Sequence, residues 1–581
     1  MFTIFSLLFL QTSLFTPVTT GPVVTNGGDS RSVNWFDFDR DSDLDLFISN
    51  GKKDGENNFF YLNNGDGTFT AIDTLAINKD GSPSVGATAG DFNNDGFPDL
   101  FVSTWYGLKN YLYLNDQGKR FIEVSESPVM KDLSYAETGS FGDYDRDGWL
   151  DLFVTISAGN TRNFLYRNDG SGKFTKLAQT GFLNHRFSSR TADFVDINSD
   201  TYPDIFVTNE YGQAENLYLG SAAGSFSSAA PTSISGLAGN TTSASWEDLD
   251  NDGDFDLILT NYGNEKNHLL FNKGNLQFEK SGFTPWSSDV SNSFSSATGD
   301  VDNDGDLDVL ITNAFSASGG KLVNFFYLND GSGQFSDASH LLPADSGWVY
   351  GASFADYDGD GHLDLALAAC FGESENNRLY RNNGNGNNWI QFDLEGVKSN
   401  RSGIGAILHI YSSSNGKMLH QTRRMSGQSG YGSQTLRIHA GLGTSEVADS
   451  VVILWASGIR QKLENVPSNQ LYPVKEDTLA AVSVKEEPVT PNLFKLHGSY
   501  PNPFNPAATI TYSISEPLKT GKLEFTIFDI TGKQVDSFSP PETSPGTYKL
   551  TLQSAGWSSG HYLVRLSDGL RSDSILITLV K

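Results

Sequence analysis

The sequence predicts an all-β protein: a seven-bladed β-propeller, then a small β-rich module, then a C-terminal β-sandwich. Three observations predict it. Aromatic residues make up 12% of the 581 residues, with 40 Phe and 22 Tyr, a bias toward strands. Turn formers are abundant, with 59 Gly and 20 Pro. Above all, an Asp-rich segment recurs seven times, beginning at Asp37, Asp91, Asp143, Asp196, Asp248, Asp300 and Asp356, in steps of 54, 52, 53, 52, 52 and 56 residues. A fixed period of this size is the mark of a repeat architecture.

Each repeat reads as four short strands. The Asp segment leads into an apolar run such as residues 152–155. A second signature opens on Asn58, Asn110 and Asn163, with variants at Asn216, Asn267, Asn324 and Asn377. A Gly-containing turn follows, then a Phe: Phe69, Phe121, Phe174, Phe226, Phe278 and Phe335. Four strands make a propeller blade, and seven units lie within the usual range of ~4–8 blades. An open solenoid also stacks repeats, and the chain ends decide against it. The seventh unit lacks its last strand. Phe15–Val18 supplies one at the front, and Phe15 precedes Phe69 by 54 residues. The spacing predicts that residues 15–20 pair with residues 377–384 and close the ring, which is assigned to 15–388.

The flanks follow. Residues 2–10 form an apolar run far below the ~20 residues of a membrane span. They read as part of a secretory signal over 1–14, with a first strand as the other reading. No other stretch approaches membrane-spanning length. Residues 389–474 hold short strands around a Gly/Ser-rich stretch at 426–434. Residues 475–492 are polar and read as a linker. Residues 493–581 open with three prolines, Pro501, Pro503 and Pro506. These forbid a helix, and the alternating strands after them predict a small β-sandwich.

The Asp segments carry the chemistry. Positions 1, 3, 5 and 9 are Asp37, Asp39, Asp41 and Asp45; Asp91, Asn93, Asp95 and Asp99; Asp143, Asp145, Asp147 and Asp151; Asp196, Asn198, Asp200 and Asp204; Asp248, Asp250, Asp252 and Asp256; Asp300, Asp302, Asp304 and Asp308; Asp356, Asp358, Asp360 and Asp364. Alternating oxygen donors converge only if the backbone curls around a point, and Gly at position 6 permits the curl. With a position-7 carbonyl and water, six or seven oxygens suit Ca²⁺. Mg²⁺ demands a stricter octahedron, and soft metals want His or Cys. All but two of the 28 positions are aspartates, a crowding of anions that is unfavourable without a cation. About seven Ca²⁺ sites are expected, structural rather than catalytic. At a dissociation constant near 10⁻⁴ M and ~1 mM Ca²⁺, seven sites contribute about 10 kcal/mol. On that figure chelation should lower the melting temperature by tens of degrees. Ser42 and Thr201 replace the position-6 Gly and mark the first and fourth loops as weaker.

These Asp-x-Asp-x-Asp-Gly-x-x-Asp-Leu loops resemble the FG-GAP/VCBS repeats of integrin-α-type propellers over about residues 15–385. The resemblance implies Ca²⁺ in the blade loops and a role in adhesion or ligand binding. Gly403–Ala406, Ser429–Gln434, His439–Gly443 and Trp455–Gly458 are similar to the ASPIC/UnbV module, found behind such propellers in proteins resembling cartilage acidic protein. Ala440 and Ala456 stand where Phe and Pro are usual there. The Tyr500–Pro506, Asp529–Gly532 and Ser559–Tyr562 pieces look like the type A sorting domain of type IX secretion substrates. That implies export across an outer membrane, with this domain read by the secretion machinery.

Composition narrows the function. With 40 basic and 69 acidic residues the net charge is −29, which argues against nucleic acid or an anionic membrane as partner. The single Cys370 excludes an intramolecular disulfide and Cys-based zinc clusters. Enzyme motifs are weak. Gly430-Tyr431-Gly432 and Gly441-Leu442-Gly443 read as turn glycines. Gly427–Tyr431 matches a nucleophile elbow only loosely, because Tyr431 occupies the second Gly position. His439 reads as a packed or turn histidine, and Arg423 and Arg424 as a solvated pair, with a clamp on a carboxylate as the other reading. The expectation is a secreted or surface-attached, calcium-binding, non-catalytic propeller whose partner is an extracellular protein or glycan. A secreted enzyme on an extracellular polymer, with its site at the propeller mouth, is the alternative, and a pure envelope scaffold the third. The ligand is expected at the axial mouth or on one face, with the Asp turns on the face opposite.

Overall fold

Seven sheets, each with four antiparallel strands, follow one another along the chain, and the first and third carry a short fifth strand, Gln434–Thr435 and Leu108–Lys109. The computed structural model describes residues 13–478 and 494–581, apart from short interior segments (160, 171, 230–231, 283–289, 317, 343–346, 371–374, 415–416, 515–521, 530–532, 541–542, 555 and 568–571). Most of the expected signal and linker lies outside the described residues.

The first strand of each sheet is Ser30–Phe36, Ser84–Gly90, Leu133–Gly142, Ser189–Val195, Thr241–Glu247, Ser293–Gly299 or Val349–Ala355. These strands pack each against the next, and the seventh packs against the first, so the ring is closed. They are almost wholly buried, which explains their Ala, Gly, Ser and Thr: small side chains let seven strands converge on one axis. Chain-end pairing closes the ring as the spacing predicts, with Phe15 opposite Asn382, Thr16 opposite Arg381 and Pro17 opposite Tyr380. Just before it, the Leu14 carbonyl accepts from Asn383 N at 2.9 Å, so the last residue of the stretch assigned to the signal is hydrogen-bonded to the ring.

A recurring asparagine staples the blades. It ends the third strand of six sheets and reaches back to a carbonyl of the preceding one: Asn115 to Phe38, Asn168 to Phe92, Asn272 to Ile197, Asn329 to Leu249 and Asn382 to Val301. Asn63 of the first sheet reaches Tyr357 of the last, at 2.7 Å. Gly220 holds this place in the fourth sheet and has no side-chain amide to offer.

The chain after the ring folds into two sheets. One has Asn388–Glu395 between Ile438–Gly443 and Leu471–Lys475; the other orders Lys417–Arg424, Ile407–Ser414, Val447–Leu454 and Arg460–Pro467. Ile404, Ala406 and Leu408 share one core cluster with Phe36, Phe92 and Phe141 of the ring. Ring and module accordingly form a single compact unit, Met1–Ala481.

The Gly/Ser-rich stretch is the joint, and it corrects the reading of its glycines as turn residues alone. It runs into the central channel. Gln434 bonds both N and O of Ala89, Thr88 Oγ1 donates to the Gly427 carbonyl, and Asn34 Nδ2 donates to that of Gly432. Gly430 N donates to Ser245 Oγ and Tyr431 N to Ser295 Oγ. A Cβ on Gly430 would lie 2.1 Å from the Ser296 carbonyl oxygen, and one on Gly427 2.0 Å from that of Phe141. Only glycine permits this approach. Arg423 and Arg424 are corrected too. They are not solvated: Arg423 bonds the Thr422 and Gly305 carbonyls and Gln421 Oε1, and Arg424 pairs with buried Asp193 and bonds the Trp246 carbonyl.

Residues 494–581 form a separate unit, a three-stranded sheet facing a four-stranded one. Its core is built from Phe504, Ile510, Phe525, Val564 and Ile577, among others.

Candidate metal centres at the acidic turns

Each Asp segment is the turn between the first and second strands of a sheet, so all seven lie on one face of the ring. The turn is built on its position-1 carboxylate. Asp37 Oδ1 accepts from Asp41 N at 3.1 Å and its Oδ2 from Ser42 N at 3.0 Å. Asp91, Asp143, Asp196 and Asp356 repeat both bonds. Asp248 and Asp300 keep the bond to the position-6 amide.

Position 6 is left-handed throughout. The five glycines there have φ between +85° and +105°, and Ser42 and Thr201 take +79° and +73°, a conformation that costs non-glycine residues about 1–2 kcal/mol. Position 4 is left-handed as well, at Arg40, Asn94, Arg146, Ser199, Asn251, Asn303 and Gly359. Sequence reasoning missed it. The signal was present in three Asn and a Gly, residues that tolerate this region.

Position 9 is buried in every loop, and its two oxygens accept backbone N–H groups. Asp45 takes Phe38 N and Asn63 N at 2.8 Å each, and Asp99, Asp151, Asp204, Asp256, Asp308 and Asp364 do the equivalent.

The loops divide by position 3. Three carboxylates offer oxygens within 4.8 Å of one another in five of them: Asp37, Asp39 and Asp41; Asp143, Asp145 and Asp151; Asp248, Asp250 and Asp252; Asp300, Asp302 and Asp304; Asp356, Asp358 and Asp360. Asp39, Asp145, Asp250 and Asp358 each hold a buried Oδ1 with no hydrogen-bond partner, as do Asp248 and Asp300 at position 1. In the second and fourth loops the position-3 residue is Asn. The amides of Asn93 and Asn198 donate to Asp95 and Asp200 at 2.9 and 3.0 Å, so part of the local charge is already answered.

Basic side chains pair closely with three of the five clusters, and Arg423 Nη2 lies 4.0 Å from Asp300 Oδ2 in a fourth. Arg167 spans Asp145 and Asp147 at 2.6 and 3.0 Å, Arg381 spans Asp358 and Asp360 at 2.6 and 3.1 Å, and Lys273 Nζ lies 2.9 Å from Asp250. All use Oδ2, leaving the orphaned Oδ1 atoms untouched. Burial, reinforced by neighbouring carboxylates, pushes Asp37, Asp91, Asp196 and Asp356 up to about 6, Asp143, Asp248 and Asp300 to about 7, and Asp45 and Asp256 to about 8. Asp248 and Asp300 combine a buried oxygen that lacks a donor with such a shift, and a carboxylate in that state needs a proton or a cation. An all-oxygen set fits a hard divalent ion.

The module lies over this face. Gly441 N donates to Asp300 Oδ2 at 2.8 Å and Gln391 Nε2 to Asp356 Oδ2 at 2.8 Å. Asp91 N donates to Ser402 Oγ, Arg401 N to Asn94 Oδ1, Arg146 Nε to the Ala456 carbonyl and Arg437 Nη2 to that of Ser42. Acidic turns of five blades are thus built into the joint or border it.

A closed ring of acidic-turn blades, capped on its turn face by a second β-module and followed by a β-sandwich, defines the class. Residues 37–102, 143–207, 196–259, 248–311 and 313–367 match the FG-GAP-like repeat family, 396–480 the ASPIC and UnbV family, and 499–578 the secretion system C-terminal sorting domain family. The chain is an FG-GAP-repeat propeller protein with an ASPIC/UnbV module and a type IX sorting domain. It is similar to human cartilage acidic protein 1, 29% identical over 309 residues that cover 49% of this chain and 44% of the human protein. The match therefore spans less than half the length of that relative. Similar solved structures include BBS1N in complex with ARL6DN (13% identity, TM-score 0.40, covering 64% of this chain and 99% of that one). Another is PorZ, a surface component of the type-IX secretion system of Porphyromonas gingivalis (10% identity, TM-score 0.39, covering 97% of this chain and 61% of that one). The sorting domain points to a secreted or outer-membrane-attached protein. Among the described residues no helix is long and apolar enough to cross a membrane.

Proposed function

We propose that this protein is a calcium-stabilised extracellular binding propeller, delivered by type IX secretion, that holds a protein or glycan partner without chemistry. The observation that carries the reading is where the acidic clusters sit. They pin hairpin turns and border the joint with the module, the place for structural ions. Asp37, Asp39 and Asp41, Asp143, Asp145 and Asp151, Asp248, Asp250 and Asp252, and Asp356, Asp358 and Asp360 would hold Ca²⁺ in four loops, and Asp300, Asp302 and Asp304 in a fifth. Bound there, Ca²⁺ supplies charge compensation and a fixed turn. With one face covered by the module, the opposite face is left for a partner.

The test is binding of the purified chain to immobilised matrix proteins and glycans, in calcium and in chelator, with soluble products assayed in parallel. Saturable, calcium-dependent binding without turnover supports the proposal. Product release from a polymer would make the protein a secreted enzyme instead, and silence throughout would leave a scaffold.

A further inference from the structure

The second and third strands of each blade join on the face away from the Asp turns, and there the channel ends in an aromatic mouth. Its floor is shared by ring and module. Tyr431, fully buried on the inserted stretch, donates to Glu137 and lies 3.3 Å from the Tyr350 hydroxyl. Arg190 pairs with Glu137 at 3.0 Å and with Glu210 at 2.6 Å. Arg31 pairs with Asp29 at 2.7 Å and lies over the Phe315 and Tyr350 rings, 5.3 and 4.6 Å from their centroids.

The rim carries Tyr106, Tyr211 and Tyr262, exposed by 39%, 72% and 38%. Each connects to the floor. Tyr106 packs edge-on against Trp105, whose indole donates to Ser157 Oγ, which in turn donates to Glu137. Tyr262 packs on Phe294, and Phe294 on Tyr350. Tyr211 follows Glu210 in the chain.

The rim is also strained. Tyr106, Tyr211 and Phe315 occupy the same place, two residues past the second strand, and have φ of +62°, +61° and +55°. Gly263 fills that place in the fifth blade without strain, at +86°. A bulky residue in this region is an outlier that costs of order 1–3 kcal/mol, and such outliers cluster at ligand sites.

The charges of the mouth are already spoken for. Arg31 and Arg190 are paired with Asp29, Glu137 and Glu210, two cations among three anions, so an anionic ligand finds both floor cations already paired and a cationic one finds carboxylates already engaged by arginine. The net charge of −29 further opposes polyanions. What the mouth offers outward is tyrosine faces and hydroxyls beside paired polar groups. That surface complements a neutral molecule with flat C–H faces edged by hydroxyls. We infer that the mouth binds a neutral carbohydrate polymer, its sugar rings stacked on Tyr106 and Tyr211. The inference rests on the binding function proposed above and assigns its site and ligand class.

The experiment is native gel electrophoresis of the full chain in gels containing laminarin, xylan, mannan or hydroxyethyl cellulose, with heparin as the anionic control. Wells coated with collagen and fibronectin are probed alongside. Retardation by at least one neutral polymer is expected, with the dissociation constant raised at least tenfold in the Tyr106→Ala, Tyr211→Ala double variant. Met418→Ala, an exposed change in the module, should leave it unchanged. Retardation that survives the double variant, retardation by heparin alone, or no retardation in any gel overturns the inference. If the protein then still binds collagen or fibronectin, the binding function stands without it; if it binds nothing, both fall.

Discussion

Stripping divalent ions from the purified protein tests the role of the acidic turns, and the structure sets the size of the effect. Five loops bring three carboxylates together. With a dissociation constant of about 10⁻⁴ M, each contributes about 1.4 kcal/mol at 1 mM Ca²⁺, or about 7 kcal/mol together. The loss is spread over a large cooperative unit, because ring and module share a core across residues 1–481. At ~2.1 cal/mol/K per residue its unfolding entropy is roughly 1 kcal/mol/K. EDTA at pH 7.5 should therefore lower the melting temperature by about 7 °C. That is well short of the tens of degrees the repeat count alone suggests, since the free energy is divided by the entropy of the whole unit. Differential scanning calorimetry in 1 mM CaCl₂, 1 mM MgCl₂ and EDTA is the assay, and magnesium should restore only a minor part. A shift under about 1 °C between calcium and EDTA would refute the reasoning, and so would equal rescue by magnesium.

Three further outcomes are expected. In EDTA the protein should melt higher at pH 5.5 than at pH 8. Burial holds Asp37, Asp143 and Asp45 up at about 6, 7 and 8 in the fold against about 3.9 when unfolded, so stability is lost as pH rises through that window; a flat or opposite dependence measured by calorimetry would contradict it. Tyr431→Phe, which leaves Glu137 short of a donor, should cost about 1–3 kcal/mol, and Tyr431→Ala more, by about 3–5 kcal/mol for an emptied aromatic site, both read from urea unfolding of the full chain. Thr201→Gly should be neutral to stabilising by about 1 kcal/mol, because it relieves a left-handed threonine, whereas Gly148→Thr at the equivalent place should lower the melting temperature.

Much of the ring was legible because its determinants are local. The period of the Asp segments, the aromatic third strands and the displaced first strand at Phe15 are all short-range patterns, and the pairing of Phe15–Pro17 with Tyr380–Asn382 follows from them. The loop donors were legible for the same reason. What escaped was long-range. Nothing near Gly427, Gly430 and Gly432 distinguishes a turn from a close approach; the difference is made by Phe141, Ser296 and Gly86, up to about 350 residues away. Arg424 reads as a surface cation until Asp193 is brought to it. The stapling asparagines recur visibly, but their acceptors sit in the preceding repeat. In the fourth unit Glu215, not its neighbour Asn216, accepts from Asn209 N, a register change that only the paired strands reveal.

The closing strand has a bearing on how the molecule is made. Its residues leave the ribosome before the rest of the ring, yet their partners at Tyr380–Asn382 come some 365 positions later. Until then six blades can form while the seventh keeps an open edge, and the sealing step must await synthesis of the seventh blade. Shortening the chain before residue 380 should therefore yield an unsealed arc that aggregates edge to edge, whereas removing only the C-terminal sandwich should leave a sealed, soluble ring.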